Sequence, residues 1–104
     1  MLESIRGIET AIDGKNYRDY ERSWLLRSAV ERGIEVISEA SRHIPRDMKA
    51  AHKEVRWKDI AGIGNILRHE YQRVDRTIIW KTVKNHLPTL KTALLAIKES
   101  AEIE

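Results

Sequence analysis

The sequence contains no cysteine, only two prolines and no long apolar segment. The absence of cysteine excludes disulfide bonds, thiolate metal sites and a cysteine nucleophile. Two prolines and five glycines among 104 residues argue against long stretches of irregular chain. No apolar run approaches the roughly 18 residues that span a membrane, and charges interrupt the N-terminal apolar residues, unlike in a signal peptide. These features predict a cytoplasmic protein without a membrane partner.

The length of 104 residues, with 41% hydrophobic and 34% charged residues, suits one soluble globular domain. We therefore expect residues 1–104 to form a single domain. A core of this size is modest, and a homodimer would add to it. Trp24, Trp57 and Trp80 fall near helix starts or middles, where they should be core or dimer contacts.

Positive charge is concentrated in one part of the chain. Residues 1–40 carry six basic and eight acidic side chains, a net charge of −2, whereas residues 41–98 carry thirteen and five, a net charge of +8. The last six residues contribute −3. A clustered positive field attracts polyanions such as nucleic acids, although a solvated lysine-rich surface would have the same composition.

Apolar residues recur at helical spacing along nearly the whole chain, and no strand pattern of useful length is present. Glycine and proline mark the helix ends. The predicted helices are Leu2–Ile12 ending at Asp13-Gly14, about Arg22–His43 ending before Pro45, a short turn in RDMKAAH, one beginning near Trp57, one capped by Asp75, and a last one with Pro88 in its first turn. The pattern predicts an all-α fold, an antiparallel four-helix bundle with one short extra helix.

Several cofactor motifs are absent from the sequence. Gly62-Ile63-Gly64 lacks the lysine, the further glycines and the preceding strand of a phosphate-binding loop. No Glu-x-x-His pair indicates a di-iron bundle, and no two histidines lie four residues apart as in a helical zinc pair. We therefore expect neither a metal ion nor another cofactor.

The segment GIGNILRHEY, residues 62–71, is the strongest candidate site. On a helix, Asn65 and His69 lie one turn apart, with Arg68 beside them. Histidine transfers protons near neutral pH, arginine can hold a phosphate, and asparagine can orient the histidine or a ribose hydroxyl. Tyr71 could add a hydrogen bond. The polar end of an ordinary helix has the same composition, so spacing alone leaves both interpretations open.

Gly64 and Tyr71 share a different helix face, which also carries the inward residues Ile60 and Leu67. Glycine at position 64 costs a helix about 1 kcal/mol relative to alanine. It is reasonable there if another helix approaches closely. The same helical phase places Tyr71 near the core, where its ring could simply pack.

Three stretches of the chain resemble the HepT-like branch of the HEPN superfamily: AVERGIEVISEASRHIP, VRWKDIAGIGNILRHEY and VDRTIIWKTVKNHLPTLKTAL. The resemblance covers almost the whole chain. It implies a helical bundle that dimerises with its motif helices facing each other, and a metal-independent endoribonuclease that is the toxin of a type VII-like toxin–antitoxin pair. It also implies a partner, an MntA-like minimal nucleotidyltransferase antitoxin that silences the toxin by transferring AMP to a tyrosine.

The resemblance assigns the family's polar residue to Asn65, its histidine to His69 and its AMP-accepting tyrosine to Tyr71. The family arginine should stand at position 64, which is glycine in this chain. Arg68 adjoins the histidine and is the candidate replacement. Loss of one such electrostatic group typically costs roughly 10²–10³ in rate, so we expect a weakened ribonuclease or one that no longer cuts.

Three functions stay open at this point. The first is RNA cleavage with His69, Arg68, Asn65 and Tyr71 as catalytic residues. The second is a non-catalytic helical dimer that binds the nucleotidyltransferase and is AMPylated on Tyr71. The third is a purely structural dimer. A nucleotidyltransferase gene beside this one would favour the first two functions, and a nuclease assay would separate them.

Overall fold

The computed structural model describes residues 1–69 and 76–103, with the backbone alone for residues 68, 69 and 101–103. These residues form helices joined by short turns, and no strand occurs among them. The elements are α1 (Leu2–Ile12), α2 (Tyr17–Arg22), α3 (Trp24–Ser41), α4 (Arg46–Ala51), α5 (Trp57–His69), α6 (Arg76–Lys81), a π-helical turn (Thr82–His86) and α7 (Leu87–Ile103). The predicted all-α fold class is confirmed.

Helix α3 packs against both α1 and α5. Helix α7 runs antiparallel to α1, because the start of α1 lies beside Ile97 and its end lies beside Leu87. Lys91 Nζ on α7 is 2.9 Å from Glu9 Oε1 on α1 and ties these two helices together. Helix α5, which contains the candidate site, packs mainly against α3.

None of the described helices combines the length and the apolar character needed to cross a membrane.

One apolar cluster forms the core, and the predicted helical stripes supply it. The buried apolar residues of the long helices are Ile5 and Ile8 on α1, Val30, Ile34 and Ile37 on α3, Ile60, Ile63 and Leu67 on α5, and Leu87, Leu90, Ala93 and Leu94 on α7.

The predicted second helix, about Arg22–His43, is α3 at Trp24–Ser41, and the short helix α2 before it was not predicted. Asn16 starts α2 with a capping box: its Oδ1 accepts from Asp19 N at 2.9 Å, and its N–H donates to Asp19 Oδ2 at 3.0 Å. Ser23 then leaves the helical conformation and caps α3, accepting from Leu26 N at 3.0 Å. These polar caps carry no apolar periodicity, so the stripe pattern did not reveal the break.

The predicted helix ends at Gly14 and near Pro88 have different outcomes. Gly14 follows α1 with a φ of 71°, a left-handed conformation that favours glycine, as expected. Pro88 lies in the first turn of α7, but the π-helical turn joins α6 directly to α7 without an irregular residue. Proline lacks an N–H, and the wider turn before it interrupts the regular hydrogen-bond ladder at that point. The predicted cap Asp75 lies outside the described residues.

The three tryptophans occupy different environments. The ring centroid of Trp80 lies 5.3 Å from that of Tyr20, which is fully buried, and 6.3 Å from that of Tyr17. Trp57 is half-buried at the start of α5. Trp24 is 69% exposed at the start of α3 and is therefore not a core residue. Its predicted alternative, a dimer contact, stays a prediction.

Candidate functional site

Helix α5 holds the candidate site in a fixed orientation. At its start, Trp57 Nε1 donates to the carbonyl oxygen of His52 at 3.1 Å. Along its length, Ile60, Ile63 and Leu67 are buried in the core. Because these contacts fix both the start and the rotation of the helix, its remaining faces have defined directions.

Gly64 lies where α5 crosses α3. A Cβ atom at this position would stand 2.2 Å from Ser38 Oγ and 2.4 Å from Ser38 Cβ. Both distances are far shorter than van der Waals contact allows. The expected close approach of another helix is confirmed, and the helix that approaches is α3 of the same chain. The position expected for the family arginine has no room for a side chain in this packing.

A small network of hydrogen bonds surrounds this crossing. Ser38 Oγ donates to the carbonyl oxygen of Ala61 at 2.9 Å, and Arg42 Nη2 donates to the same oxygen at 3.2 Å. Ser41 Oγ donates to the carbonyl oxygen of Ser38 at 2.7 Å. Ser38 and Ser41 are buried, and Arg42 is exposed. Ser38 and Arg42 therefore hold α3 against α5, while the bond of Ser41 stays within the end of α3.

The predicted site residues begin one residue after Gly64. Asn65 is exposed on the surface of α5. Arg68 and His69 are the last two residues of the helix, so the backbone puts Asn65 and His69 one turn apart. The side chains of Arg68 and His69, and the whole of Tyr71, lie outside the described residues. Their mutual contacts stay predictions.

A groove of about 300 Å³ runs beside the candidate site, between α5 and the segment that follows Arg76. Ile66 and Ile78 on its walls are 42% and 51% exposed, which is high for isoleucine. Position 69 follows Ile66 by one turn, so the groove lies next to the end of α5. The lining residues are Lys58, Asp59, Gly62, Ile63, Ile66, Ile78, Thr82 and His86.

Two features of the site were not predicted from the sequence. Arg42 reaches α5 from the end of α3, nineteen residues away in the chain from its partner Ala61, and His86 enters the groove from the π-helical turn. No motif contains either residue, because both depend on packing between helices. Beside Gly64, the small residues Ser38 and Ser41 of α3 are a further sequence signal of a close crossing, since both are buried.

The described side chains contain no group of three or more histidine, aspartate or glutamate residues that could hold a metal ion. Exposed polar groups on and beside α5 instead include the Asn65 amide and the Arg42 guanidinium. Such a set can bind a phosphodiester by hydrogen bonds and charge.

Comparison with known proteins identifies the family. The model of the Ribonuclease HepT-like family matches residues 1–97, which include all of α1 to α6 and the candidate site. The chain belongs to the HepT-like ribonuclease family. No solved structure gives a significant match to it.

Named relatives of this HepT-like chain come from archaea and bacteria. A Thermococcus cleftensis protein named "Probable ribonuclease HepT" is 46% identical over 91 residues, which cover 88% of this chain and 83% of the relative. A Methanocaldococcus jannaschii protein named as an RNase, MJ1380, is 35% identical over 88% of this chain and 84% of its own length. A Caldanaerobacter subterraneus protein named as an RNase, TTE0752, is 33% identical over 88% of this chain and 75% of its own length.

Proposed function

We propose that this HepT-like chain is an endoribonuclease that cleaves RNA without a metal ion. The observation that carries the proposal is the family match over residues 1–97. The resemblance assigns the motif's polar residue and histidine to Asn65 and His69, which lie one turn apart on α5. The names of the relatives support the activity. The net charge of +8 in residues 41–98, which include α5, supports a polyanionic substrate.

The proposed reaction uses the RNA's own 2′-hydroxyl as the nucleophile. His69 removes its proton, the 2′-oxygen attacks the adjacent phosphorus, and the bond from phosphorus to the 5′-oxygen breaks. The leaving 5′-oxygen takes a proton from an acid or water, so the products are a 2′,3′-cyclic phosphate and a 5′-hydroxyl. Histidine suits this proton transfer because its ordinary pKa is near neutrality.

The other candidate residues would act on the substrate rather than on the proton. Arg68 would bind the scissile phosphate, Asn65 would orient the histidine or a ribose hydroxyl, and Tyr71 would contact a phosphate or a base. The exposure of Asn65 supports its access to RNA. All four roles follow from the family motif and the helix spacing.

We further propose that the chain is the toxin of a type VII-like toxin–antitoxin pair in the cytoplasm. Its antitoxin would be a minimal nucleotidyltransferase that attaches AMP to Tyr71, and the toxin would act as a homodimer with two α5 helices facing each other. An adenylyl group beside His69 and Arg68 would compete with the RNA phosphate through its negative charge and would block the cleft with its purine.

A second candidate function is a non-catalytic dimer that binds the nucleotidyltransferase and is AMPylated by it. The contact between Gly64 and Ser38 favours this alternative, because the family arginine has no space at position 64. An enzyme without that charge would lose roughly 10²–10³ in rate. Nuclease activity separates the two functions.

The decisive experiment compares wild type with His69→Ala on RNA in buffer that contains EDTA. We expect wild type to produce fragments with 2′,3′-cyclic phosphate ends, and we expect His69→Ala to be slower by roughly 10²–10⁴, the usual contribution of a general base. Cleavage that survives the substitution, or that EDTA abolishes, contradicts the mechanism. No cleavage by wild type supports the non-catalytic alternative.

A further inference from the structure

Arg42 connects the end of α3 to the middle of α5. It follows Ser41, the last residue of α3, and its Nη2 donates to the carbonyl oxygen of Ala61 at 3.2 Å. A guanidinium has five N–H donors arranged as a planar fork. The contact with Ala61 uses one of them. The residue is exposed, and within the described part of the chain no second hydrogen bond or ion pair engages its guanidinium, so donors are left for a ligand in solution.

The guanidinium of Arg42 lies close to the point from which the family arginine is missing. The carbonyl oxygen of Ala61 is 3.2 Å from Arg42 Nη2 and 2.9 Å from Ser38 Oγ. That hydroxyl is 2.2 Å from the place of a Cβ atom at Gly64. Three successive contacts, through the Ala61 oxygen and the Ser38 hydroxyl, thus link the Arg42 guanidinium to position 64.

The same contact places Arg42 on the side of α5 that carries the motif. Carbonyl oxygens of a helix point towards its C-terminus, so the Ala61 oxygen lies at the level of Gly64 and Asn65. Residues 61, 65 and 68 follow one another along one side of the helix at intervals of four and three. Arg42 therefore approaches α5 beside Asn65, one turn before the end of the helix.

We infer that Arg42 is a phosphate ligand of this chain's RNA site and supplies, from α3, the guanidinium that position 64 lacks. The inference rests on the proposed ribonuclease function. Its hydrogen bond to α5 holds the guanidinium in place before RNA binds, and a ligand held in this way loses less conformational entropy on binding. The substrate class is a single-stranded RNA whose phosphate is contacted by Arg42 and whose ribose or base lies near Asn65.

The competing explanation is that Arg42 only ties two helices together. Ser38→Ala tests it, because Ser38 donates to the same oxygen of Ala61 but carries no charge. If Arg42 is only a tie, Arg42→Ala and Ser38→Ala should have parallel effects on melting temperature and on RNA binding. If it is a phosphate ligand, both variants lower the melting temperature, but only Arg42→Ala weakens RNA binding.

The test measures binding of a single-stranded RNA as a function of salt, in a His69→Ala background so that the RNA stays intact. Each phosphate contact to a single strand contributes about 0.7 to the slope of log K against log salt. We expect Arg42→Ala to reduce the slope by about that amount and Arg42→Lys to keep it. The matched control is Arg32→Ala, an exposed arginine of the same helix whose recorded contact is Glu35 at 3.5 Å.

Cleavage by the variants in the active background completes the test. Arg42→Ala should cut roughly 10²-fold more slowly than Arg32→Ala, with Arg42→Lys between them. Binding and cleavage by Arg42→Ala equal to those of Arg32→Ala overturn the inference, even if His69→Ala shows that the chain is a nuclease. If Arg42→Ala weakens RNA binding as expected but wild type does not cleave RNA, only the nuclease proposal is overturned. No RNA binding by wild type overturns both.

Discussion

Ser38 on α3 occupies the space that a side chain at Gly64 on α5 would need. Its hydroxyl lies 2.2 Å from the place of a Cβ atom at position 64 and is held there by the Ala61 carbonyl oxygen. The glycine is therefore part of the packing between two helices. A guanidinium at position 64 requires α3 and α5 to separate, so one substitution cannot restore the family motif.

Alanine substitutions at Gly62 and Gly64 should have opposite effects on stability. Both residues lie inside α5, where alanine is favoured over glycine by about 1 kcal/mol. A Cβ at Gly62 meets nothing within 4 Å, so Gly62→Ala should raise the free energy of unfolding by up to about 1 kcal/mol. Gly64→Ala should lower it by about 1–3 kcal/mol, as overpacking does. Urea denaturation followed by circular dichroism measures both values.

The double variant Ser38→Gly/Gly64→Ala is the control for this pair. It removes the hydroxyl that the new methyl group meets, so it should recover part of the loss caused by Gly64→Ala alone. Gly64→Arg should be less stable than Gly64→Ala and should not cut RNA faster than wild type. A Gly64→Ala protein as stable as Gly62→Ala would contradict the prediction and would show that α3 can shift at the crossing at little cost in free energy.

The buried hydroxyl of Tyr20 should make the protein less stable in alkaline solution. Burial raises the pKa of Tyr20 well above its ordinary value, with the Glu31 carboxylate as a smaller cause. The folded protein then keeps this proton at a pH where the unfolded chain loses it. The contribution of Tyr20 to the free energy of unfolding should therefore be constant below about pH 10 and fall as the pH rises further.

Tyr20→Phe tests this dependence. The Tyr20 hydroxyl is buried without a hydrogen-bond partner among the described residues, and such a group costs about 1–3 kcal/mol. At pH 7 the variant should be as stable as wild type or more stable by up to that amount, and its alkaline decline should be shallower. A loss of more than 1 kcal/mol at pH 7 would show that the hydroxyl has a partner.

Tyr71 should accept AMP from the cognate nucleotidyltransferase. Incubation of the two proteins with ATP and magnesium, followed by intact mass measurement, should show one or more added AMP units in wild type and none in Tyr71→Phe. The adenylated protein should bind RNA more weakly than the free protein. An unchanged gain of mass in Tyr71→Phe would place the modification on another residue.

The protein should be a homodimer whose interface includes the exposed residues Ile66 and Ile78 beside the groove. Light scattering at micromolar concentration should give twice the chain mass of 12.1 kDa. Ile66→Glu should shift the equilibrium towards the monomer, because it puts a charge into an apolar contact. Leu95→Glu is the matched control, since Leu95 is also an exposed apolar residue but lies on α7. A wild-type monomer contradicts the prediction.

The sequence predicted those parts of the fold that depend on local periodicity. The end of α1 follows from one residue, Gly14, and the buried face of α5 follows from the spacing of its apolar residues. Both agree with the structure. The break at Ser23 was missed because a cap is a polar signal inside an apolar pattern. The contact of Arg42 with Ala61 could not be predicted, because it depends on how two helices cross.

The ion pair between Glu9 and Lys91 joins residues that are 82 positions apart in the chain. Chains are synthesised from the N-terminus at about 5–20 residues per second, so α1 leaves the ribosome several seconds before its partner α7. During that interval the apolar side of α1 that faces α7 is open to solvent. The core is therefore complete only after α7 has been translated. A transcript cut within the α7 codons would yield a chain that lacks the buried residues of α7 and cannot complete its core.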